Sequence, residues 1–310
     1  MTMAASPPTR KRAVTPDVRP SVSYKPTTAD ILIVKQYLKS IFITFADELI
    51  DVIVDDASYW AHTSVTVNRT VVTHEDGDIM YMRTLPLAVY GTEGDLLLDE
   101  ENLQGDSEGF DLGGLPPAEA RWAAPTRAEP FRKIEFQLWS HDQGWGGDYD
   151  SQGTYNGSYS WFDASVERLD SVSWLTGSIK WPFSLISAAV DLSDDLTDDL
   201  PADAPNLPDD FTFVRKDVKR PFLPSPSTLQ KNFVAEDQTT HHIVTWSYCD
   251  NVKEDSPEAI AAESKGRGRK SYDGSFVRDL QVGDCITMRA RFPGWSNNAV
   301  KAKITVYWAV

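Results

Sequence analysis

The chain has 310 residues, 41% of them hydrophobic and 25% charged, enough for one large or two modest globular domains with a substantial core. Collagen, wholesale disorder and a membrane-spanning architecture are not expected, since no apolar run approaches the roughly 18 residues of a membrane span. The 30 basic and 46 acidic side chains give a formal charge of −16, a field that repels phosphate backbones and anionic lipid, so neither nucleic acid nor a membrane is expected as a partner.

Residues 1–27 are rich in Pro, Ser, Thr and Arg and lack the apolar core of a signal peptide, so a disordered tail is expected. Its Arg10-Lys11-Arg12 cluster fits a solvated segment. A helical segment is expected over 28–62. Thr28 is a plausible cap, and Ile31, Leu32, Val34, Lys35 and Leu38 have helix-compatible spacing. A second helix starts near Thr44, with Phe45, Leu49, Val52 and Ile53 in steps of three and four and Asp47 and Glu48 opposing the dipole of the first turn. After Trp60 the texture becomes β-branched alternation, at 64–67 and 70–72.

The region 63–310 reads as mainly β. Short period-two segments at 132–139, 158–162, 211–214, 242–246, 285–292 and 303–308, bounded by Gly, Asp, Asn or Pro, predict an antiparallel β-sandwich of jelly-roll or galactose-binding-like type, with two short N-terminal helices. Two stretches rich in Asp, Gly and Pro, 92–129 and 191–210, read as long acidic surface loops. Cys249 and Cys285 are too few for a disulfide scaffold and read as buried, reduced thiols of a cytoplasmic or nuclear protein. The pattern Trp139-Ser140 followed by Tyr155-Asn156-Gly157-Ser158-Tyr159 recurs as Trp246-Ser247 followed by Tyr272-Asp273-Gly274-Ser275-Phe276. Each copy reads as a strand, a long loop and a turn into another strand, which places two loops at equivalent corners of the sandwich.

The densest polar and aromatic segment is 140–155. A flat Trp or Tyr face beside a carboxylate and an amide suits a sugar ring, so His141, Asp142, Gln143, Trp145 and Tyr155 are the candidate ligand-binding residues, with Trp295 as a second aromatic platform. Asp148, Asp150, Gln152 and Gly153 imitate the opening of a calcium loop. Tyr159 stands where an EF-hand requires its bidentate carboxylate, which leaves Asp148 and Asp150 as candidates for a looser calcium site only; no other cofactor is expected. Motifs of serine hydrolases, phosphate loops and zinc helices are absent from the sequence, so the reading leans away from an enzyme.

The segment 45–53 resembles the first helix of an F-box, departing from it where Ala46-Asp47 replaces the usual Pro before Glu. Together with 51–60, the Asp-Gln-Gly-Trp element at 142–145 and the Phe-Pro-Gly-Trp element within 283–295, the chain resembles a group of fungal proteins that brings no known activity and implies a cytosolic or nuclear setting. The two aromatic elements also resemble the rim loops of the jelly-roll sugar-binding domain attached to some F-box proteins. Three functions are weighed on these residues. The first is a non-enzymatic module that binds carbohydrate or peptide through its rim loops. The second is an adaptor that docks a protein through the helix around Leu49 and Ile53. The third is a carbohydrate-active hydrolase pairing Asp142 with Glu135 or Asp150. An apolar stripe left exposed on the second helix favours the adaptor; that stripe buried, with Trp145 in a cleft, favours the rim-loop binder.

Overall fold

The computed structural model describes residues 25–72, 77–88, 94–99, 129–169, 213–214, 224–292 and 298–310. The acidic stretch 191–210, residues 1–24, the part of 92–129 beyond 94–99 and 129, and Trp295 lie outside the described residues. The chain is mainly β, with two sheets and four α-helices among the described residues. One sheet has the order β4 (Gly94–Asp99), β1 (Ala61–Asn68), β11 (Asn298–Trp308), β5 (Phe131–His141), β9 (Thr240–Ser247), with β2 (Val71–Val72) also paired to β11. The other runs β3 (Gly77–Arg83), β10 (Cys285–Phe292), β6 (Trp161–Leu169), β7 (Phe213–Val214), with β8 (Gln230–Lys231) paired to β6. Every described pairing is antiparallel except β1 with β4.

Alternation in sequence becomes sidedness here. Ile134, Phe136 and Leu138 of β5 are buried while Lys133, Glu135, Gln137 and Trp139 between them are half-buried, and Val244 and Trp246 of β9 are buried while His241, Ile243 and Thr245 face solvent. Register then stacks like on like, Phe136 opposite both Ile304 and Val244, and Ile134 opposite both Val306 and Trp246. These side chains share one buried cluster with Tyr81, Met82, Phe162, Ile286, Met288 and Ala290 of the other sheet. Each large side chain so buried contributes about 1.5–3 kcal/mol, which makes this shared core the main stabilising element. The opposite face of β6 and β10 is polar, and its buried groups are paired: Arg83 with Glu167 at 3.1 Å, Arg291 with Asp163 at 3.2 Å, and the hydroxyls of Ser165 and Thr287 at 2.7 Å.

The N-terminal hairpin consists of α1 (Thr28–Ile41) and α2 (Asp47–Asp56). Its cap is Thr27, one residue earlier than the sequence suggests. The Thr27 hydroxyl accepts from the Asp30 N–H at 3.2 Å and the Asp30 carboxylate accepts from the Thr27 N–H at 2.9 Å, a reciprocal arrangement worth about 1 kcal/mol. Lys35 pairs with Asp51 at 2.6 Å and Lys39 with Asp47 at 2.7 Å, so the two helices run antiparallel. Ile31, Ile50 and Val54 enter the core, with Leu38 packed against it. Asp55 fixes α2 to β5, accepting from Arg132 Nε at 2.8 Å and from Trp60 Nε1 at 2.7 Å.

Several expectations are corrected. Gly94–Asp99, inside the stretch read as a loop, is a strand in register with β1 from Thr63↔Gly94 to Asn68↔Asp99; its acidic neighbours hid a Leu-Leu-Leu run long enough to pair. Strand β6 begins at Trp161, where the expected strand was ending, because Ser158 and Ser160 are tied to each other in a buried turn, Ser158 Oγ donating to the Ser160 carbonyl at 3.0 Å. The polar insert after β9 contains α3 (Pro257–Glu263), started by Ser256 as cap and Pro257 in the first turn. The second copy of the repeat enters α4 (Ser275–Arg278) rather than a strand, through Gly274 at φ 77°. Since β5 and β9 are antiparallel neighbours, the two loops leave opposite ends of that pair and do not form equivalent corners. Cys285 is buried, which raises its thiol to about 11, but Cys249 is exposed; both are free.

Replacing Asp55 leaves the buried Arg132 guanidinium without its carboxylate, and removal of one member of such a pair costs about 3–5 kcal/mol. Asp55→Ala is expected to lower the melting temperature strongly and to raise amide exchange in α2. Lys39→Ala, which breaks an exposed pair, should change stability by less than about 1 kcal/mol. Equal melting curves for the two variants would contradict this assignment.

Candidate functional site

The loop that joins β5 to β6 is built on a second segment, 232–237, that sequence reasoning did not single out. Asn232 is its hub. Its Oδ1 accepts from Ser140 Oγ at 2.7 Å and its Nδ2 donates to Ser160 Oγ at 3.2 Å. Asp142 is turned inward and buried, with Oδ1 accepting from Ser160 Oγ at 3.0 Å and Oδ2 from the Ala235 N–H at 2.9 Å. Backbone bonds from Gly153 to Val234 and from Val234 to Thr154 complete the seam. At Gly147, with φ 70°, a Cβ would lie 2.5 Å from Val234 Cγ1, so only glycine lets the two segments approach this closely.

On this base Trp145 is presented outward, 61% exposed, with Tyr149 at 88%. The Gln143 amide holds the loop itself, donating to the Trp145 carbonyl at 2.6 Å, and Gln152 donates to the Gly146 carbonyl at 3.3 Å. His141 Nδ1 donates to the Asp142 carbonyl at 2.7 Å. Asp148 and Asp150 lie exposed at the 3-10 turn Tyr149–Ser151. Among the described residues, no group of three or more His, Cys, Asp or Glu side chains is arranged to hold a metal ion. Glu135 sits six residues up β5 from its end at His141, about 20 Å away at strand rise, so it does not form a hydrolytic pair with Asp142.

Tyr155 belongs to an interior seam. Its ring stacks on Phe233 with centroids 4.1 Å apart, and its hydroxyl lies 2.9 Å from His242 Nε2. Burial, reinforced by Arg267 and His241, pushes His242 down to about 4, so the ring is neutral near pH 7 and its Nε2 accepts from the Tyr155 hydroxyl. Of the expected ligand set, then, the loop offers Trp145 to solvent, uses Asp142, Gln143 and Tyr155 to hold itself in place, and Trp295 lies outside the described residues.

Two further features stand out. A mostly polar cavity of about 790 Å³ has Trp246, Phe276 and Leu280 in its wall beside the charged Glu167, Asp279 and Arg278. The Trp246 indole N–H is buried without a partner, and Arg278 is committed to the carbonyls of Tyr248, Asp250 and Asp273. The more extensive feature is the outer face of the hairpin. Ile33, Tyr37 and Ile41 of α1 and Leu49, Val52 and Ile53 of α2 are exposed, Val52 at 59%, and the turn adds Phe42 stacked on Phe45 at 4.7 Å and Ile43 at 85%. The sequence pattern carried this signal as an excess of apolar residues, more than one helix face can bury.

Compared with known proteins, the chain matches no family model, no curated protein and no solved structure.

Trp145→Ala is expected to leave the melting temperature nearly unchanged, whereas Trp161→Ala, which removes a fully buried ring, costs about 3–5 kcal/mol. Asp142→Ala orphans the Ser160 hydroxyl and the Ala235 N–H at about 1–3 kcal/mol. A Trp145→Ala melt as low as that of Trp161→Ala would show the outward reading to be wrong. For His242 the folded pKa lies below the unfolded 6.5, so the unfolded chain binds more protons between pH 6.5 and about 4. Stability contributed by the neutral ring is present above 6.5 and is lost as pH falls through that window, by about 3 kcal/mol at its lower end. Melting from pH 7 to 4 should therefore fall less steeply for His242→Gln than for the natural chain; parallel slopes would contradict it.

Proposed function

We propose that this chain is a non-enzymatic protein-interaction module, an adaptor in which a jelly-roll body carries a helical hairpin that docks a protein partner. The jelly-roll reading is supported by strand order: β1-β11-β5-β9 in one sheet and β3-β10-β6-β8 in the other, with the chain passing between sheets and a shared buried cluster between them. Such a body brings no function by itself.

The observation that carries the docking reading is the exposed outer stripe of the hairpin. With Leu32 at 47% exposure as the tenth, these large side chains, roughly half exposed at about 200 Å² each when fully exposed, present about 1,000 Å² of surface spread over the two helices and their turn. The largest apolar patch on a typical monomer is about 300–600 Å² and is often a binding surface. No helix among the described residues is long and apolar enough to cross a membrane, and the patch is read here as a protein contact. The free thiols of Cys249 and Cys285 support a cytoplasmic or nuclear setting.

A second reading, carbohydrate recognition, draws support from Trp145 and Tyr149, two exposed rings on a loop whose backbone is held by Asp142 and Asn232. Affinity capture with the full chain, run beside a glycan array, separates the two. Capture is expected to enrich proteins that Leu49→Asp/Val52→Asp loses and Trp145→Ala retains. Glycan binding abolished by Trp145→Ala, with capture insensitive to the hairpin variant, would replace the adaptor by the sugar-binding reading.

A further inference from the structure

We infer that Asn156 is a self-modification site, a position where the chain converts its own side-chain amide to a carboxylic acid with water as the co-reactant. The site is separate from the docking face and does not depend on it. Asn156-Gly157 is the only Asn-Gly pair in the sequence. It forms the tip of the turn that returns the rim loop toward β6, closed where the Ser158 N–H donates to the Tyr155 carbonyl at 3.4 Å, with Gly157 at φ 68°. Both residues are exposed. The Asn156 backbone N–H donates to Thr154 Oγ1 at 3.2 Å, but among the described residues neither its side-chain amide nor the Gly157 N–H has a hydrogen-bond partner. A Cβ at Gly157 would meet nothing nearer than Ser151 Oγ at 3.8 Å, so the approach to its nitrogen is open. Electrophile and nucleophile are adjacent, solvated and uncommitted.

The Gly157 nitrogen, having given its proton to hydroxide, attacks Asn156 Cγ. A succinimide ring closes as the new N–Cγ bond forms and the Cγ–Nδ2 bond breaks, and ammonia leaves with a proton from water. Water then opens the ring. Breaking the N–Cγ bond gives aspartate; breaking the bond from that nitrogen to the Asn156 backbone carbonyl carbon gives isoaspartate, which carries the main chain through Cγ. Nothing is oxidised or reduced. The fold, and not the sequence alone, selects this position. The matching element Asp273-Gly274 could close the same ring with loss of water, yet Asp273 Oδ1 accepts from the Ser275 N–H at 2.8 Å and from its hydroxyl at 2.6 Å. Gly274 is also packed in, since a Cβ there would lie 2.3 Å from both Arg278 Nη1 and the Asp250 carbonyl oxygen. Asn251 is exposed, but the next amide, of Val252, donates to the Tyr272 carbonyl at 2.9 Å. Asn232 is buried with both amide atoms bonded.

The test holds the folded full chain in warm, mildly alkaline buffer made with heavy-oxygen water and follows each Asn and Asp peptide by mass spectrometry. Asn156 is expected to gain the mass of an amide-to-acid conversion together with one heavy oxygen, at least tenfold faster than Asn251 and faster as pH rises. Asp273 is expected to take up no heavy oxygen. Gly157→Ala should slow conversion of Asn156 at least tenfold, because a side chain then hinders the attacking nitrogen. If Ala at this left-handed position disturbs the turn, Gly157→Asp, a residue that tolerates the conformation, is the second variant. An Asn156 that stays an amide in the folded chain, or converts no faster than Asn251, overturns the inference. Equal heavy-oxygen uptake at Asp273 overturns it too, since the geometry would then select nothing.

Discussion

A carboxylate placed against an apolar core has to be matched by donors, and Asp55 is matched by two, the Arg132 guanidinium on β5 and the Trp60 indole at the start of the first strand. That geometry gives α2 one rotational setting. Ile50 and Val54 are turned into the core, and Leu49, Val52 and Ile53 are left facing out. Lys35 carries the constraint to α1 through Asp51, and its ammonium also donates to the Val310 carbonyl at the chain's end. The exposed apolar face is therefore a consequence of how the hairpin is anchored. Relieving it by rolling the helix would leave a charge buried without a partner.

Beneath the hairpin lies the β body. Its two sheets share a core whose register is set by alternation, and its polar outer ladder of Arg83 with Glu167 and Arg291 with Asp163 satisfies buried charges in pairs. The rim loop is held in the same manner. Asp142 cannot serve both a ligand and the Ser160 and Ala235 donors with the same two oxygens. A residue type suited to sugar binding is here part of the frame that presents Trp145.

How much of this was legible in the sequence depended on the range of the interactions involved. Period-two alternation located β5, β9, β10 and β11 because a half-buried strand writes its sidedness into adjacent residues. The helices were readable from spacing, and so was the excess of apolar residues on them, but which stripe faced inward was set by Arg132, far away in the chain. Strand β4 was hidden by the acidic composition around its leucines. The inward turn of Asp142 was hidden for a related reason, since Asn232 and Ala235 are about ninety residues away and carry no local signature. The glycines did announce a tight loop, although what Gly147 makes room for, Val234, appears only in three dimensions.

The central claim, that α2 is fixed with one stripe inward and the other open to a partner, can be read directly by thiol labelling in a Cys249→Ser background, which removes the exposed natural cysteine. Val52→Cys and Ile50→Cys are compared by mass spectrometry at high dilution. The account predicts that Val52→Cys is modified at close to the rate of a free thiol while Ile50→Cys, two positions away on the same helix, is strongly protected. Equal protection at both positions, with the variants folded, would contradict it.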